Sequence, residues 1–318
     1  MRIAILGAGA VGSYFGGRLA LAGEEVSWFA RGATLAALRE RGLRVESLQG
    51  DFVLPPQRAS DRSDDFERMD AVVLGVKAWQ VAEVGPLVRS WLAPTGIVLP
   101  LQNGVDAVPE LARALGPEPV VGGVCRIVCE VVAPARVRHF GAVPSVDLGP
   151  WPQGDAQSAA RVARQRERCR ALADAFVRAG VEARVRDDIR PALWEKFLFI
   201  AAVGTVGAAS DRTLGELRAE AETRALLERA MQEVAALARA SGVELAPDVV
   251  ARNLAFVDRL PAESTASMQR DIRAARPSEL EAQTGAVVRL GRELGVATPV
   301  HARLYAELRA RVGSSPRA

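Results

Sequence analysis

The most informative stretch of the sequence is MRIAILGAGAVG, residues 1–12. Its apolar run Ile3–Leu6 has the length of a buried strand, and Val11–Ala22 has the spacing of a helix. Between the two runs lie three glycines in the pattern G-x-G-x-x-G. Directly after a strand and at the start of a helix, this pattern is typical of a loop that binds the pyrophosphate of a dinucleotide.

Each glycine of this loop has its own physical role. Gly7 allows the tight turn, Gly9 lets the backbone approach the pyrophosphate, and Gly12 lets the helix and the strand pack closely. The helix N-terminus then offers free amides to the phosphates. The alternative is a glycine-rich turn that binds nothing. The residues predicted to contact the cofactor here are Gly7, Ala8, Gly9, Ala10, Val11 and Gly12.

Strands and helices alternate through the first part of the chain. Strands are predicted at Ile3–Leu6, Val26–Phe29, Ala71–Val76, Ile97–Leu101, Val120–Val124 and Val181–Val185. Helices are predicted at Val11–Ala22, Thr34–Arg41 and Ala156–Ala179. This βαβ rhythm predicts an α/β Rossmann domain with a doubly wound sheet over residues 1–187.

Long helical patterns replace the strand-like runs in the second part of the chain. Capping-box signatures at 213–216 and 278–281 and a proline at Pro299 mark three helix starts. The first of these helices is expected to reach about Ser241, because a glycine follows it. We therefore expect an all-α C-terminal domain over residues 188–318.

The end of the second predicted strand distinguishes NADP from NAD. An NAD site has an acidic residue there, which binds the ribose 2′-hydroxyl. This chain has Phe29-Ala30-Arg31-Gly32 instead. Arg31 is placed to pair with a 2′-phosphate, so we predict NADP(H) as the cofactor. The alternative for Arg31 is a solvated loop side chain.

The composition argues against several other functions. The net charge of +3 is small for 318 residues, and no basic tract stands apart from acidic neighbours, so nucleic acid is not an expected partner. No apolar run approaches the length of a membrane span, and the N-terminal run lacks a cleavage-like region. We expect a cytoplasmic protein without a membrane partner. The three cysteines lack metal-ligand spacing, so we expect reduced, buried thiols and no metal.

Further motifs follow the glycine loop in order. They are VKAWQ at 76–80, LQNG at 101–104, WEKF at 194–197, and SMQRD at 267–271 followed by Glu279. Together with the glycine loop they resemble the ketopantoate reductase family (2-dehydropantoate 2-reductases) over nearly the whole chain. The resemblance implies NADPH-dependent reduction of a 2-keto acid to a 2-hydroxy acid. It also implies a Rossmann domain and an all-helical domain with the active site between them.

Lys196 stands where the family has its catalytic lysine. It precedes the apolar segment 197–200, so we expect partial desolvation, which suits a general acid that protonates the nascent alkoxide. Lys77 and Lys196 are the only lysines among 41 lysines and arginines. This scarcity indicates roles that arginine cannot fill, because arginine keeps its proton. The alternative for Lys196 is a snorkelling side chain on an amphipathic helix.

Three residues after predicted strands are expected to lie beside the cofactor. Asn103 is at the carboxyl edge, where sheets of this type bind ligands, and in the family this asparagine touches both nicotinamide and substrate. Its alternative role is that of an Asn-Gly turn. The resemblance places Lys77 over the cofactor and the backbone around Ile127 near the nicotinamide.

Two C-terminal residues match family positions at the substrate. Glu279 corresponds to an acid near the substrate hydroxyl and the ribose, and we expect it to be catalytic. Its alternative is an acid favoured at a helix start by the dipole alone. Ser267 matches a contact to the substrate carboxylate, although a serine without a functional role explains it equally well.

The chain departs from the family pattern after its catalytic lysine. Well-known members carry asparagine four and eight positions later, where this chain has Ile200 and Gly204. An isoleucine cannot pair with a substrate hydroxyl, whose unpaired burial costs roughly 1–3 kcal/mol, and a glycine leaves space. We therefore expect a larger, more apolar pocket that prefers a 2-keto acid with an aliphatic or aromatic side chain. The alternative is water beside Gly204, with ketopantoate retained as substrate.

The sequence thus predicts an NADPH-dependent reductase of a small-molecule 2-keto acid. One alternative is a 2-hydroxy acid dehydrogenase that works oxidatively at the same site. Another is a nonenzymatic NADP(H) sensor, which would need neither Lys196 nor Glu279. We expect a homodimer, because a helical second domain offers surface for one.

Overall fold

The computed structural model describes residues 1–152 and 158–313. The chain divides into two compact units, and each encloses a hydrophobic core of its own. The first unit comprises Met1–Gln102 and Ala107–Ile189, and the second comprises Asn103–Asp106 and the chain from Arg190 onward. The main division follows Ile189, close to the boundary predicted at 187, and the short segment Asn103–Asp106 joins the second unit.

The described strands all belong to the first unit. In chain order they are β1 (Arg2–Leu6), β2 (Glu25–Phe29), β3 (Leu43–Ser47), β4 (Phe52–Leu54), β5 (Ala59–Ser60), β6 (Met69–Leu74), β7 (Leu92–Pro100), β8 (Gly122–Ala133), β9 (Arg136–Gly149) and β10 (Glu182–Val185). Five of them form a parallel sheet in the order β5-β2-β1-β6-β7. The central strand β1 is buried from Ile3 to Leu6, as a parallel strand covered on both faces must be. The predicted fold class is confirmed.

The other strands form a second, mixed sheet that the motifs do not predict. Its order is β10-β9-β3-β4, and β8 pairs with β9 as a long antiparallel hairpin. The expectation that 181–185 continues the doubly wound sheet was wrong, because β10 pairs with β9. For 120–124 it was correct only at the start, since Val120 forms a parallel bridge with Val98 of β7, whereas the residues from Gly122 onward pair with β9. Burial alternates over residues 136–140 of β9, as is typical of a strand with one solvated face, and no continuous apolar run marks this strand in the sequence.

Helices flank the parallel sheet and make up the second unit. Those of the first unit are α1 (Ala10–Leu21), α2 (Gly32–Glu40), α3 (Val81–Trp91), α4 (Ala107–Leu115) and α5 (Ser158–Arg178). Those of the second are α6 (Arg190–Ser210), α7 (Leu214–Ala219), α8 (Ala221–Ala240), α9 (Val249–Arg259), α10 (Ser267–Arg273), α11 (Ala286–Leu294) and α12 (Pro299–Gly313). The first two residues of the helix predicted at Ala156–Ala179 lie outside the described residues.

Helix α6 carries a longer apolar stretch than we expected of any segment from the sequence. By length and composition it is long and apolar enough to cross a membrane, with a mean hydropathy of 1.4 over its 18-residue window. The prediction that no apolar run reaches this length was wrong. Two-thirds of the window is buried inside the protein (67%), so α6 serves as a core helix of the second unit.

Two helix predictions were correct only in part. The capping box of Thr213 and Glu216 forms as predicted, but the helix stops at Ala219 because Glu220 has an extended backbone, and α8 begins anew. At the second predicted capping box, residues Glu281–Gly285 form a π-helix, which continues into α11 without a side-chain cap. The carboxylate of Glu281 accepts a hydrogen bond from Tyr305 instead.

Two buried polar pairs hold the helices of the second unit in register. The hydroxyls of Thr205 on α6 and Thr284 in the π-helix are 2.7 Å apart and fully buried. Glu233 on α8 accepts hydrogen bonds from the backbone amides of Val300 and His301 and contacts the His301 ring at 2.6 Å. Because a buried polar group without a partner is costly, these pairs restrict how the helices can pack.

Candidate functional site

The glycine loop joins β1 to α1 where the sequence predicts it. Gly7 has a φ of +101°, a conformation that residues with side chains rarely adopt. A Cβ on Gly12 would lie 2.1 Å from the carbonyl oxygen of Gly7, and a Cβ on Gly75, just after β6, would lie 2.8 Å from the same oxygen. Direct backbone contact therefore fixes the loop against the sheet.

The N-terminus of α1 is suited to an anionic ligand. Its N-cap is Gly9, which has no side chain to satisfy the first amides of the helix. A Cβ on Gly9 would find its nearest heavy atom 3.8 Å away, at the carbonyl oxygen of Gly75. Free amides beside an uncrowded backbone fit the pyrophosphate of a dinucleotide, whose oxygens accept hydrogen bonds from such amides.

Arg31 lies at a second helix start in the same unit. It is the N-cap residue of α2, is exposed, and makes no side-chain cap. Its guanidinium carbon is 5.5 Å from the centroid of the Phe29 ring at the end of β2. A guanidinium beside the amides of a helix N-terminus is a favourable place for a phosphate.

Lys77 and Ile127 also belong to the first unit. Lys77 follows the end of β6 and is exposed, with its Nζ 5.9 Å from the centroid of the Trp79 ring. Ile127 lies at a register shift in β8 and is half-buried against the first core. Irregular strand positions of this kind leave backbone groups outside the ladder, where they can meet a ligand.

The sequence motifs did not single out Gln102, which fixes the segment after β7. Its side chain is buried, and Nε2 donates hydrogen bonds to the carbonyl oxygens of Leu74 at 3.0 Å and Val76 at 2.9 Å. The glutamine therefore ties the chain to the end of β6, directly before Asn103. Gln102 is part of the LQNG motif, but its role became visible only from the hydrogen bonds of its amide.

Asn103 and Glu279 meet within the second unit. Asn103 Nδ2 donates a hydrogen bond to Glu279 Oε2 at 3.1 Å, although 176 residues separate the two positions. Glu279 is only 8% exposed, so this buried carboxylate is held by an amide and not by bulk water. Two positions predicted separately from sequence thus form one polar cluster.

Helix α6 presents Lys196, Ile200 and Gly204 on one face, since they are spaced four residues apart. Lys196 is half-buried, and its neighbours in the sequence Trp194 and Phe197 are buried. Ile200 is half-buried and packs against the second core. This face carries an ammonium group at one end and an apolar side chain in its middle.

Ser267 was predicted to contact the substrate carboxylate, and its hydroxyl is not among the described groups that form the cluster of Asn103 and Glu279. It is exposed at the start of α10, and the hydrogen bonds that join Asn103 and Glu279 in the described chain do not involve it. Its neighbour Met268 is buried and approaches Gly204. The alternative of a serine without a functional role therefore stays open.

Family models match nearly the whole chain. The model described as ketopantoate reductase PanE/ApbA matches residues 3–153, and its C-terminal counterpart matches residues 188–312. The chain belongs to the ketopantoate reductase family. It is 32% identical to a 2-dehydropantoate 2-reductase of Mesorhizobium japonicum, with 94% of each chain covered. The family predicted from the motifs is confirmed, and with it an oxidoreductase.

Solved structures agree with this assignment. A 2-dehydropantoate 2-reductase from Geobacter metallireducens is 31% identical, with a TM-score of 0.87 and coverage of 98% of this chain and 99% of that one. A structure of D-mandelate dehydrogenase with NADH and anilino(oxo)acetate is 26% identical, with a TM-score of 0.85 and coverage of 99% of both chains. The fold of this family member therefore also occurs in an enzyme named for a different 2-hydroxy acid.

The expectation that Gly204 leaves open space in this member of the ketopantoate reductase family was wrong. A Cβ on Gly204 would lie 3.0 Å from Gln283 Oε1 and 3.1 Å from Met268 Cε. The space that we expected beside Gly204 is therefore occupied by two side chains, the polar Gln283 and the apolar Met268. Gln283 was missed from sequence, because nothing in the pattern of the last helices distinguishes it.

Two of the three cysteines, Cys129 and Cys169, are poor nucleophiles. Burial raises the pKa of the Cys169 thiol to about 12, and burial with a contribution from Cys125 raises that of Cys129 to about 12. Because the thiolate is the reactive form, both stay inert at neutral pH. All three cysteines are free; Cys125 and Cys169 are buried as expected, whereas Cys129 is half-buried.

A pair of glycine substitutions separates packing from ligand binding in the loop. Gly12→Ala places a Cβ against the Gly7 carbonyl, so we expect the free energy of unfolding of the cofactor-free protein to fall by about 1–3 kcal/mol, although alanine is the better helix former. Gly9→Ala meets only ordinary contacts and should change stability little while weakening dinucleotide binding. Urea unfolding and titration with NADPH measure the two effects. Equal stability of the two variants would contradict the close contact.

Proposed function

We propose that this protein reduces a 2-keto acid to a 2-hydroxy acid with NADPH. The observation that carries the proposal is the hydrogen bond between Asn103 and the buried Glu279. An amide and a carboxylate held together in this way can orient the carbonyl and carboxylate groups of a 2-keto acid, and a nonenzymatic sensor would have no use for them. The bound dinucleotide supplies the hydride.

Lys196 is the group we assign to proton transfer. Reduction of a ketone leaves negative charge on its oxygen, and a general acid that protonates this oxygen contributes about 10²–10⁴-fold in rate. The half-buried position of Lys196 on α6 limits its access to water while keeping the ammonium group reachable. Its position on the helical face that leads to Gly204 supports a role beside the substrate.

The preference for NADPH over NADH rests on Arg31. The end of β2 carries no acidic residue to bind a ribose 2′-hydroxyl, and Arg31 stands at the N-terminus of α2. Both features favour a 2′-phosphate. NADH in the mandelate dehydrogenase neighbours makes NADH the alternative to be tested.

The substrate we propose is a 2-keto acid with an aliphatic or aromatic side chain. Ile200 gives the α6 face an apolar centre. The likeness to D-mandelate dehydrogenase supports a substrate with a bulky apolar group, whereas the relatives named 2-dehydropantoate 2-reductase favour ketopantoate. The amide of Gln283 beside Gly204 would suit ketopantoate, which is the more polar substrate. The two kinds of 2-keto acid therefore need a direct comparison.

The first test concerns the cofactor. Arg31→Ala should weaken NADPH binding by about 1–3 kcal/mol, the range for a hydrogen bond between charged groups, and leave NADH binding nearly unchanged. Arg41→Ala, an exposed arginine at the other end of α2, is the matched control and should alter neither. Fluorescence titrations with both cofactors measure the dissociation constants. Equal affinity of the unaltered protein for NADPH and NADH would refute the assignment.

The second test concerns the proton donor. Lys196→Ala should lower kcat by on the order of 10²–10⁴-fold while NADPH affinity is retained, because the lysine acts in the chemical step. Lys196→Arg keeps the charge but not a proton that can be released, so it should be nearly as slow. Single-turnover measurements of NADPH oxidation isolate the step. Near-normal turnover of Lys196→Ala on the preferred substrate would remove Lys196 from the mechanism.

The third test concerns the substrate. Steady-state oxidation of NADPH over a panel of 2-keto acids should give higher kcat/KM for branched or aromatic side chains than for ketopantoate. If ketopantoate wins by tenfold or more, about 1.4 kcal/mol in transition-state binding, the apolar preference is wrong. The same panel run with 2-hydroxy acids and NADP⁺ tests the oxidative alternative, and absence of turnover in both directions would favour the sensor.

A further inference from the structure

Gln283 is a buried glutamine beside the cluster of Asn103 and Glu279. Its side chain is 2% exposed, and Nε2 donates a hydrogen bond to Glu279 Oε2 at 3.2 Å. Its Oε1 lies 3.0 Å from the point where a Cβ of Gly204 would stand. The amide therefore occupies the space that the missing side chain of Gly204 provides.

The carboxylate of Glu279 is held by two amides that reach the same oxygen. Asn103 Nδ2 donates to Oε2 at 3.1 Å, and Gln283 Nε2 donates to it at 3.2 Å. Hydrogen bonds to an ionised acceptor are stronger than those between neutral groups. Two donors on one oxygen fix the rotation of the carboxylate, whereas Asn103 alone would leave it freer to turn.

The backbone around Gln283 is itself locked. The π-helix Glu281–Gly285 closes with the amide of Gly285 donating to the carbonyl of Leu280 at 2.9 Å, a step of five residues. The next residue, Thr284, shares a buried hydroxyl contact with Thr205, the residue after Gly204. An inserted turn of this kind is frequent at functional sites. Gln283 and Gly204 are thus held opposite each other by adjacent residues.

We propose that Gln283 is a positioning residue of the reductase: it orients the Glu279 carboxylate, and through Glu279 the Asn103 amide, toward the substrate. This inference rests on the proposed function, because it assigns Glu279 and Asn103 to the substrate. A Cβ at position 204 would lie 3.0 Å from Gln283 Oε1, so a side chain there would require the Gln283 amide to shift. Gln283 acts through Glu279 and does not itself take part in the reaction.

The variant Gln283→Met removes the amide while keeping the length of the side chain. Gln269→Met is a matched control, since Gln269 is also 2% exposed, donates to the carbonyl oxygen of Arg212 at 2.9 Å, and lies against a glycine of α6, Gly207. Loss of either amide costs comparable stability, which thermal unfolding will record. Only the loss of Gln283 is expected to disturb Glu279.

Crystal structures of the unaltered protein, Gln283→Met and Gln269→Met give a readout that is independent of activity. We expect the Glu279 carboxylate to turn in Gln283→Met, so that Asn103 Nδ2 and Glu279 Oε2 separate beyond hydrogen-bond distance. In Gln269→Met the bond should persist. If the bond keeps its length in Gln283→Met, Gln283 does not position Glu279 and the proposal is overturned.

Kinetics on the preferred 2-keto acid complete the test. We expect kcat of Gln283→Met to fall on the order of tenfold, because a bound substrate that is poorly oriented reacts slowly, while Gln269→Met stays within about twofold. Equal losses in the two variants would reduce Gln283 to a structural role and overturn the proposal. If the unaltered protein reduces no 2-keto acid, the proposed function fails, and the crystallographic comparison still decides whether Gln283 orients Glu279.

Discussion

Backbone contact between three glycines fixes the turn from β1 into α1 in the first unit. Where β1, α1 and β6 converge, the positions of Gly12 and Gly75 both face the carbonyl oxygen of Gly7 at distances that exclude a Cβ. The contact sets the angle at which α1 leaves the sheet and aims its first amides. Because backbone contacts alone hold the glycine loop, the binding of a dinucleotide there would lose little free energy to ordering the chain.

The second unit achieves the same rigidity with buried amides. Glu279 is a carboxylate with little access to water, and it is stabilised by Asn103 and Gln283, which donate to it. The hydroxyl pair of Thr205 and Thr284 holds the helices that carry this network. A buried polar network that is satisfied in this way specifies one arrangement, since any other would leave groups without partners. Preorganised polar groups of this kind are what stabilise charge during a reaction.

Local patterns in the sequence predicted those parts of the structure that depend on local interactions. The loop of Gly7, Gly9 and Gly12, the core strand β1 and the capping box at Thr213 have signals within a few residues, and the fold class followed from them. The mixed sheet was missed because β9 joins strands that are distant in the sequence, β3 and β10, and these pairings have no local signal. The helix break at Glu220, between α7 and α8, has no signal in the helix propensities of the residues around it. Gly204 was interpreted as empty space because the residue that fills it, Gln283, is 79 positions away.

Hydride transfer to a 2-keto carbon is the central claim, and isotope transfer tests it most directly. The protein would be incubated with a 2-keto acid and NADPH carrying deuterium at both C4 positions, and the product analysed by mass spectrometry and proton NMR. We expect one deuterium on C2 of the 2-hydroxy acid for each NADPH oxidised, and none in reactions that lack the protein. A product without deuterium at C2, or NADPH oxidation without any 2-hydroxy acid, would contradict the assignment.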